Sequence, residues 1–304
     1  MARRLPILFS ALLALGACNK APPAPTLHQI HIVGSSAAYP FSTAVAESFM
    51  RQETDAIAPL AQADGTSAGI ARFCAGIGAA HPDLVGAARP MTAAEHADCA
   101  KNGIADVTEI PFGWSALVLV TRPDTQAIDP TRAAIGEALT GNAKVWAAID
   151  PALPPLPIAL HGPNPPADLD LLVHAATLRQ DGLYRPHGAD PELVVKAVLD
   201  TPGAIGIVPW ATAARHADTL RLLPLDGVMP SAETIATGRY PARLPLILYA
   251  KPDEIRTTPG LRVLLKLYAA GWADGGAFAA LGLVPLDAAG RAKASATIAA
   301  LARP

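Results

Sequence analysis

Apolar and polar positions along the chain follow two periods, and these predict strands and helices in alternation. A strand over residues 28–33 leads into a helix over residues 40–51, in which Phe41, Val45 and Phe49 lie on one face. Apolar runs predict further strands over residues 84–87, 107–110, 116–121, 205–208 and 246–250. Helical spacing predicts helices over residues 93–102, 135–139, 169–179, 193–200 and 261–273, and another that begins within residues 69–76. The alternation predicts α/β layers with largely parallel sheets.

The first seventeen residues have the pattern of a secretory signal peptide. Arg3 and Arg4 form a short basic region, and the apolar segment 5–15 is too short to span a bilayer as a helix. The segment ends in LGAC, which resembles the lipobox of bacterial lipoproteins and predicts a lipidated Cys18; an ordinary signal with an incidental cysteine is the alternative. Residues 18–27 then form a proline-rich tether. In bacterial lipoproteins, an aspartate directly after the lipidated cysteine is typical of retention in the inner membrane. Asn19 stands at that position here, so attachment to the outer membrane remains an alternative.

Composition, charge and motifs argue against several classes of protein. Removal of residues 1–17 changes the net charge from −2 to −4, which argues against nucleic acid as a partner. No later run is long and apolar enough to span a membrane. The histidines are scattered, and no nucleophile, metal-binding or paired-carboxylate motif is present, so we expect no catalytic residue, metal or cofactor. The mature length of about 280 residues suggests one large or two ordinary domains.

Two cysteines remain once Cys18 is assigned to lipid. In an oxidising exported setting, the pair Cys74 and Cys99 is expected to form a disulfide, with a reactive thiol as the minor alternative.

Small hydroxyl residues stand at two predicted helix starts. Ser35 and Ser36 follow the first strand, and Thr66 and Ser67 open a later helix. A helix start carries unpaired N–H groups and a partial positive charge, so it attracts anions, and small residues let an oxyanion approach the backbone. The alternative is that these residues are simple helix caps.

Arg89 follows the strand predicted at residues 84–87. Its planar guanidinium can bind an oxyanion through two hydrogen bonds, although an arginine before a proline is more often a surface ion pair. Thr92 and Glu95, three residues apart, predict a capping box for the next helix.

Six segments resemble, in order, the phosphate-binding proteins of ABC transporters. They are IHIVGSSAAYPFSTAVAESF (30–49), GTSAGIARFCAG (65–76), DLVGAARPMTAAEHADCAKNGI (83–104), IPFGWSALVLVTRP (110–123), GRYPARLPLILYAK (238–251) and LGLVPLDAA (281–289). The resemblance implies an α/β, type-II periplasmic-binding-protein fold, with two α/β lobes of mixed sheets joined by a two-segment hinge. It implies a first lobe of residues 28–114 plus 246–304 and a second lobe of residues 115–245.

The resemblance also implies a set of oxyanion-binding residues. The principal ones are Ser35, Ser36, Thr66, Ser67 and Arg89. Further candidates are Ala37, Tyr39, Ala68, Gly162 and Asn164, with Tyr39 more readily interpreted as a packing residue.

The second lobe departs from the family pattern. Where a Ser-Gly-Thr loop is expected, residues 162–168 read GPNPPAD, and proline has no N–H to offer an anion. Asp168 at a helix start would compete with an anion for the same donors. His161 is interpreted as a loop histidine rather than a ligand, and Ala88 stands where the family usually has serine.

Two functions follow. The first is binding of phosphate or another small oxyanion for uptake or sensing, with an inner-membrane ABC permease as partner. The protein would then be a monomeric lipoprotein of the periplasm or cell envelope. The alternative is a lipoprotein of the same fold with a degenerate ligand site, which acts through protein partners in secretion or the envelope.

Overall fold

The computed structural model describes residues 28–163, 169, 178–179, 181–188 and 190–303. The predicted signal peptide, Cys18, the tether, Asn164 and most of the helix predicted at residues 169–179 lie outside the described residues.

Three parallel strands and their helices form the amino-terminal part. Glycine or hydroxyl residues separate each strand from the helix that follows, which is why chain reversals occur at these points. The elements are β1 (His31–Gly34), α1 (Tyr39–Gln52), β2 (Leu60–Ala63), α2 (Thr66–Phe73), β3 (Leu84–Ala87) and α3 (Ala93–Lys101). β1 lies between β2 and β3 and is parallel to both. The predicted capping box is present, since the Thr92 and Glu95 side chains each bond the other's backbone N–H.

A long strand, β4 (Thr108–Thr121), connects this part of the sheet to the rest. The sequence pattern predicts two strands here, at 107–110 and 116–121, and that prediction is wrong. Pro111 and Gly113 interrupt the sequence pattern because neither residue favours the paired strand conformation. In the structure the register shifts between them and the strand continues.

The next part alternates helices with short strands. Its elements are α4 (Arg132–Thr140), a 3-10 turn at Trp146–Ala148, β5 (Leu160–Gly162), β6 (Tyr184–Pro186), α5 (Pro191–Asp200), β7 (Ile205–Pro209), α6 (Trp210–Arg215), β8 (Arg221–Leu223) and α7 (Ala232–Ala236). β5 is parallel to both β6 and β7, whereas β7 and β8 are antiparallel to β4.

The chain then returns to the first part of the sheet. The returning elements are β9 (Arg243–Ala250), α8 (Pro252–Thr257), α9 (Leu261–Trp272), α10 (Ala277–Ala280) and α11 (Ala288–Leu301). β9 inserts between β3 and β4 and is antiparallel to both, giving the strand order β2-β1-β3-β9-β4-β7-β5-β6. The sheet is therefore mixed, and the prediction of largely parallel sheets is wrong because both connecting strands run against their neighbours.

Aromatic side chains form the centre of the amino-terminal core. Phe112 of β4 stacks on Trp272 of α9 with ring centroids 5.7 Å apart, and it meets the edge of Phe41 of α1 at 5.9 Å. Phe278 of α10 and Tyr268 complete the cluster. The cluster fixes α1, and with it the loop before α1, against the sheet.

The structure joins Cys74 to Cys99 in a disulfide, as predicted, and thereby ties the end of α2 to α3. Replacing both cysteines by alanine is expected to lower the free energy of unfolding by about 3 kcal/mol, because the bond closes a loop of 25 residues in the unfolded chain. Guanidinium chloride unfolding measures this loss. Reductant should produce the same loss in the wild-type protein and no further change in the variant; an unchanged midpoint in the variant would contradict the prediction.

Candidate functional site

Three loops meet at the carboxyl ends of β1, β2 and β3. The Ser35 N–H donates to the Gly86 carbonyl at 2.8 Å, and the Gly65 N–H donates to the Gly34 carbonyl at 2.9 Å. The Ala88 N–H donates to the Thr66 hydroxyl oxygen at 3.1 Å. The structure thus brings together all three segments that the sequence singles out in the first lobe.

Glycine at two positions allows this close meeting. Gly34 has a φ of +136°, and a Cβ placed on it would lie 1.9 Å from the Gly86 carbonyl oxygen. A Cβ on Gly69 in α2 would lie 2.8 Å from the Gly34 Cα. Side chains at either position would push α2 or β3 away from β1, so these glycines set the spacing of the loops.

The hydroxyl groups of the loops are positioned to donate. Ser35 accepts the Ala37 N–H at 3.0 Å, and Thr66 accepts the Ala88 N–H, so each hydroxyl proton can still be donated. Ser35, Ser36 and Thr66 are buried, where hydrogen bonds to a charge are stronger than in water. The interpretation of these residues as simple helix caps is wrong, because the N-caps of α1 and α2 are Ala38 and Gly65 and neither helix has a side-chain cap bond. Ser35 instead bonds within its own turn.

The other candidates on α2 are more open. Ser67 and Ala68 are exposed on the first turn of α2. The site therefore reaches solvent on the side of α2.

Arg89 is held in place by Glu95. Its two terminal nitrogens donate to the two Glu95 carboxylate oxygens at 2.9 and 2.7 Å, and one of them also donates to the Ser67 hydroxyl at 2.9 Å. The hydrogen bond from Arg89 lowers the pKa of Glu95 to about 2, so the ion pair persists at neutral pH. Sequence reasoning assigns Glu95 only to the capping box; the return of α3 toward the end of β3 gives it this second role.

The strand register places the carboxyl ends of both sets of parallel strands opposite each other. Ala87, at the end of β3, is level with Pro111 of β4 through their common partner Ile247. Pro209, at the end of β7, pairs with Leu117 of β4. β3 runs in the same direction as β4 and β7 runs in the opposite one, so both edges point toward the stretch of β4 between Pro111 and Leu117. Open α/β sheets bind ligands at such edges.

A pair of histidines occupies the second of these edges. His161 lies on β5 and is 2% exposed, so its interpretation as a loop histidine is wrong. Its Nδ1 lies 2.7 Å from Nε2 of His187, which follows β6 directly. Sequence reasoning misses His187 because only the parallel pairing of β5 with β6 brings residues 26 positions apart together. Gly162, a further candidate, ends β5, and its carbonyl accepts the His187 N–H at 3.0 Å.

Tyr39 lies beside a cavity that residues of α1, α5 and α6 line. It is the first residue of α1 and lines a cavity of about 250 Å³ together with Asp190, Glu192 and Arg215. Tyr39 is half-buried, and its role as a packing residue stays a prediction.

Over the described ranges, no helix has the length and apolar character needed to cross a bilayer. Within the same ranges, no three His, Cys, Asp or Glu side chains come together in a way that could hold a metal ion.

Comparison with known proteins places these features in a family. The sequence matches the family described as the PBP superfamily domain over residues 19–270. It is 25% identical over 272 residues to protein SphX of Synechocystis sp., an alignment covering 85% of this chain and 78% of SphX. It is 27% identical over 214 residues to the phosphate-binding protein PstS of Bacillus subtilis, covering 69% of this chain and 66% of PstS.

A solved structure shows the same fold. A possible phosphate binding protein from Planctomyces limnophilus superposes with a TM-score of 0.67 at 24% identity, covering 90% of this chain and 99% of that one. The predicted type-II periplasmic-binding-protein fold is therefore confirmed; the predicted lobe limits stay a prediction. Since the family match spans most of the sequence, the chain belongs to the family described as the PBP superfamily domain.

Proposed function

We propose that this chain is an oxyanion-binding lipoprotein of the cell envelope that captures phosphate for uptake or sensing. The observation that carries the proposal is the set of three loops joined by hydrogen bonds at the carboxyl ends of β1–β3, with buried hydroxyls at two helix starts. The similarity to a PstS described as phosphate-binding supports phosphate as the ligand. An ABC permease is the proposed recipient, and lipid on Cys18 is the proposed anchor.

The geometry suggests how an oxyanion is held. Hydroxyls of the loop before α1, together with hydroxyls and backbone N–H groups at the start of α2, donate to its oxygens, and the helix dipoles offset part of its charge. The N–H groups of Ala37, Ala38 and Tyr39 bond to Ser35 within the first loop, so this loop contributes through its hydroxyls. Arg89, which Glu95 orients, borders the site through Ser67. The facing edge of β5–β7 closes over the anion by a hinge motion about the connecting strands β4 and β9.

Calorimetric titration with inorganic phosphate tests this proposal. Ser36→Ala and Thr66→Ala are each expected to weaken binding by about 1–3 kcal/mol, because each removes a buried donor to a charged ligand. Thr66→Ser keeps the hydroxyl and should retain most of the affinity.

A matched control is available on α1. Ser48 donates to the Ala44 carbonyl at 2.8 Å within the helix, so Ser48→Ala should bind phosphate as the wild type does. Absence of heat and of any thermal shift with millimolar phosphate, sulfate or arsenate would refute oxyanion capture.

A second function is favoured by the start of the second-lobe loop. The Gly162 and Pro163 carbonyls are bonded to the His187 N–H and the Tyr184 hydroxyl, and Pro163 has no N–H to donate. A chain with this loop could act through protein partners in the envelope while keeping the fold. Membrane fractionation discriminates between the two functions: recovery solely in the inner membrane would count against the partner-binding role.

A further inference from the structure

The pair formed by His161 of β5 and His187, which directly follows β6, has no role in the loops at the carboxyl ends of β1, β2 and β3. The ring planes are 17° from parallel and the ring centroids are 4.9 Å apart, so the two rings lie edge to edge and nearly coplanar, joined by the 2.7 Å hydrogen bond between one nitrogen of each ring. His161 is buried and His187 is half-buried. His187 is therefore the member of the pair that reaches the surface, and the buried His161 fixes its position through the shared hydrogen bond.

The pair lies at the sheet edge opposite the one that carries the hydroxyl loops. His161 is the middle residue of β5 and His187 directly follows β6, so both lie near the carboxyl ends of parallel neighbours. This edge points toward the stretch of β4 between Pro111 and Leu117. This is where the second lobe has to supply donors if the lobes close on an oxyanion.

The surroundings of the pair carry positive rather than negative charge. Burial, the neighbouring His187 and the Arg185 guanidinium lower the pKa of His161 to about 4. Burial and Arg185 also lower the pKa of His187. Among the described residues of α5, which packs on β5, Asp190 caps the helix and Glu192 is bound to Arg215 and His216. β6 adds the Tyr184 hydroxyl, which donates to Pro163, and β7 contributes only apolar residues.

The shared hydrogen bond determines what the pair can offer. In the neutral pair one ring donates to the other, so the two outer nitrogens are one N–H donor and one acceptor. When one proton is added, the inner hydrogen bond remains and both outer nitrogens become donors. An oxyanion, whose oxygens accept, favours either the tautomer with N–H at His187 Nδ1 or the protonated pair.

We propose that His187, positioned by His161, donates a hydrogen bond to the bound oxyanion from the second lobe, and that binding takes up a proton at this pair. The proposal rests on the proposed function and assigns the second-lobe donor of that same site. Hydroxyl and amide donors of the usual loop are thus replaced by an imidazole pair whose donor capacity depends on pH.

The direction of the pH effect follows from linkage. The empty pair resists protonation because it is desolvated and lies near Arg185, whereas a bound anion stabilises the added proton and raises the pKa of the pair. Affinity therefore increases as pH falls from 8 toward about 5. Inorganic phosphate also titrates in this range, so the comparison that isolates the pair is wild type against a histidine variant with the same probe.

Titration calorimetry with inorganic phosphate, in two buffers of different ionisation enthalpy, counts the protons taken up. We expect the wild type to take up more protons than His187→Gln, and His187→Gln to bind about tenfold or more weakly at pH 6. His161→Gln should reduce both quantities less, since it removes the positioning group. The matched control is His96→Gln, on the exposed face of α3, which should behave as the wild type.

The outcomes separate this inference from the function on which it rests. If His187→Gln binds with unchanged affinity and proton count while Ser36→Ala is impaired, the pair is structural and the inference is wrong, although oxyanion binding stands. If wild type binds no oxyanion, both fail. Should the variants not fold, the imidazole pKa values of the wild type are measured by NMR with and without phosphate; a rise supports the inference, and no change overturns it.

Discussion

Gly34→Ala is expected to prevent stable folding, with a loss of about 4 kcal/mol or more in the free energy of unfolding. The new Cβ would lie 1.9 Å from the Gly86 carbonyl oxygen, and no side-chain rotation relieves contact with backbone. The φ of +136° adds strain for any residue with a Cβ. The clash also opens the hydrogen bond from Ser35 to Gly86, so any folded fraction should lose phosphate affinity. Soluble yield and thermal unfolding measure the first effect.

Gly103→Ala is the matched control for Gly34→Ala. Gly103 also has a positive φ, +83°, but a Cβ added there would meet no atom within 4 Å. Gly103→Ala should therefore lower the free energy of unfolding only through backbone strain, by about 1 kcal/mol. Equal stability of the two variants would mean that the close approach of β1 and β3 does not determine the stability of this region.

Phe112→Ala is expected to lower the free energy of unfolding by about 3–5 kcal/mol. Phe112 is fully buried and contacts the rings of Phe41, Tyr268, Trp272 and Phe278, so its removal leaves a cavity that four large side chains border. The backbone at this point is held by β9 on both sides of the register shift, which limits collapse into the cavity.

Urea unfolding measures this loss, with Met229→Ala as the control. Met229 is 49% exposed, and its replacement should change stability by no more than about 0.5 kcal/mol. A loss below about 1 kcal/mol for Phe112→Ala would show that the cluster rearranges to fill the space.

Local signals were sufficient for the loops that begin α1 and α2 and for the start of α3. Gly34, Ser35 and Thr66 mark strand-to-helix turns through their own chemistry, and Thr92 with Glu95 forms a capping box as the spacing predicts. Weak local signals explain the missed elements. β2 is a half-exposed edge strand of sequence LAQA, and α11 is alanine-rich without a pronounced apolar face.

The remaining features of the site depend on contacts between distant segments. Nothing near Arg89 shows that both its terminal nitrogens bind Glu95, because that depends on the angle at which α3 returns. His187 becomes a partner of His161 only through the pairing of β5 with β6. Propensity and periodicity describe neighbours in sequence, so these contacts require the sheet order. That order includes two connecting strands, β4 and β9, that run antiparallel to their neighbours, which the pattern does not predict.

The insertion of β9 between β3 and β4 has a consequence for synthesis. A ribosome releases the chain from its amino terminus, so β3 and the first half of β4 have no neighbour on that side until Arg243–Ala250 has emerged. The amino-terminal α/β layer therefore finishes folding late in translation, because pairing between such distant segments is slow. This part of the sheet is therefore completed only by a segment that lies far along the chain.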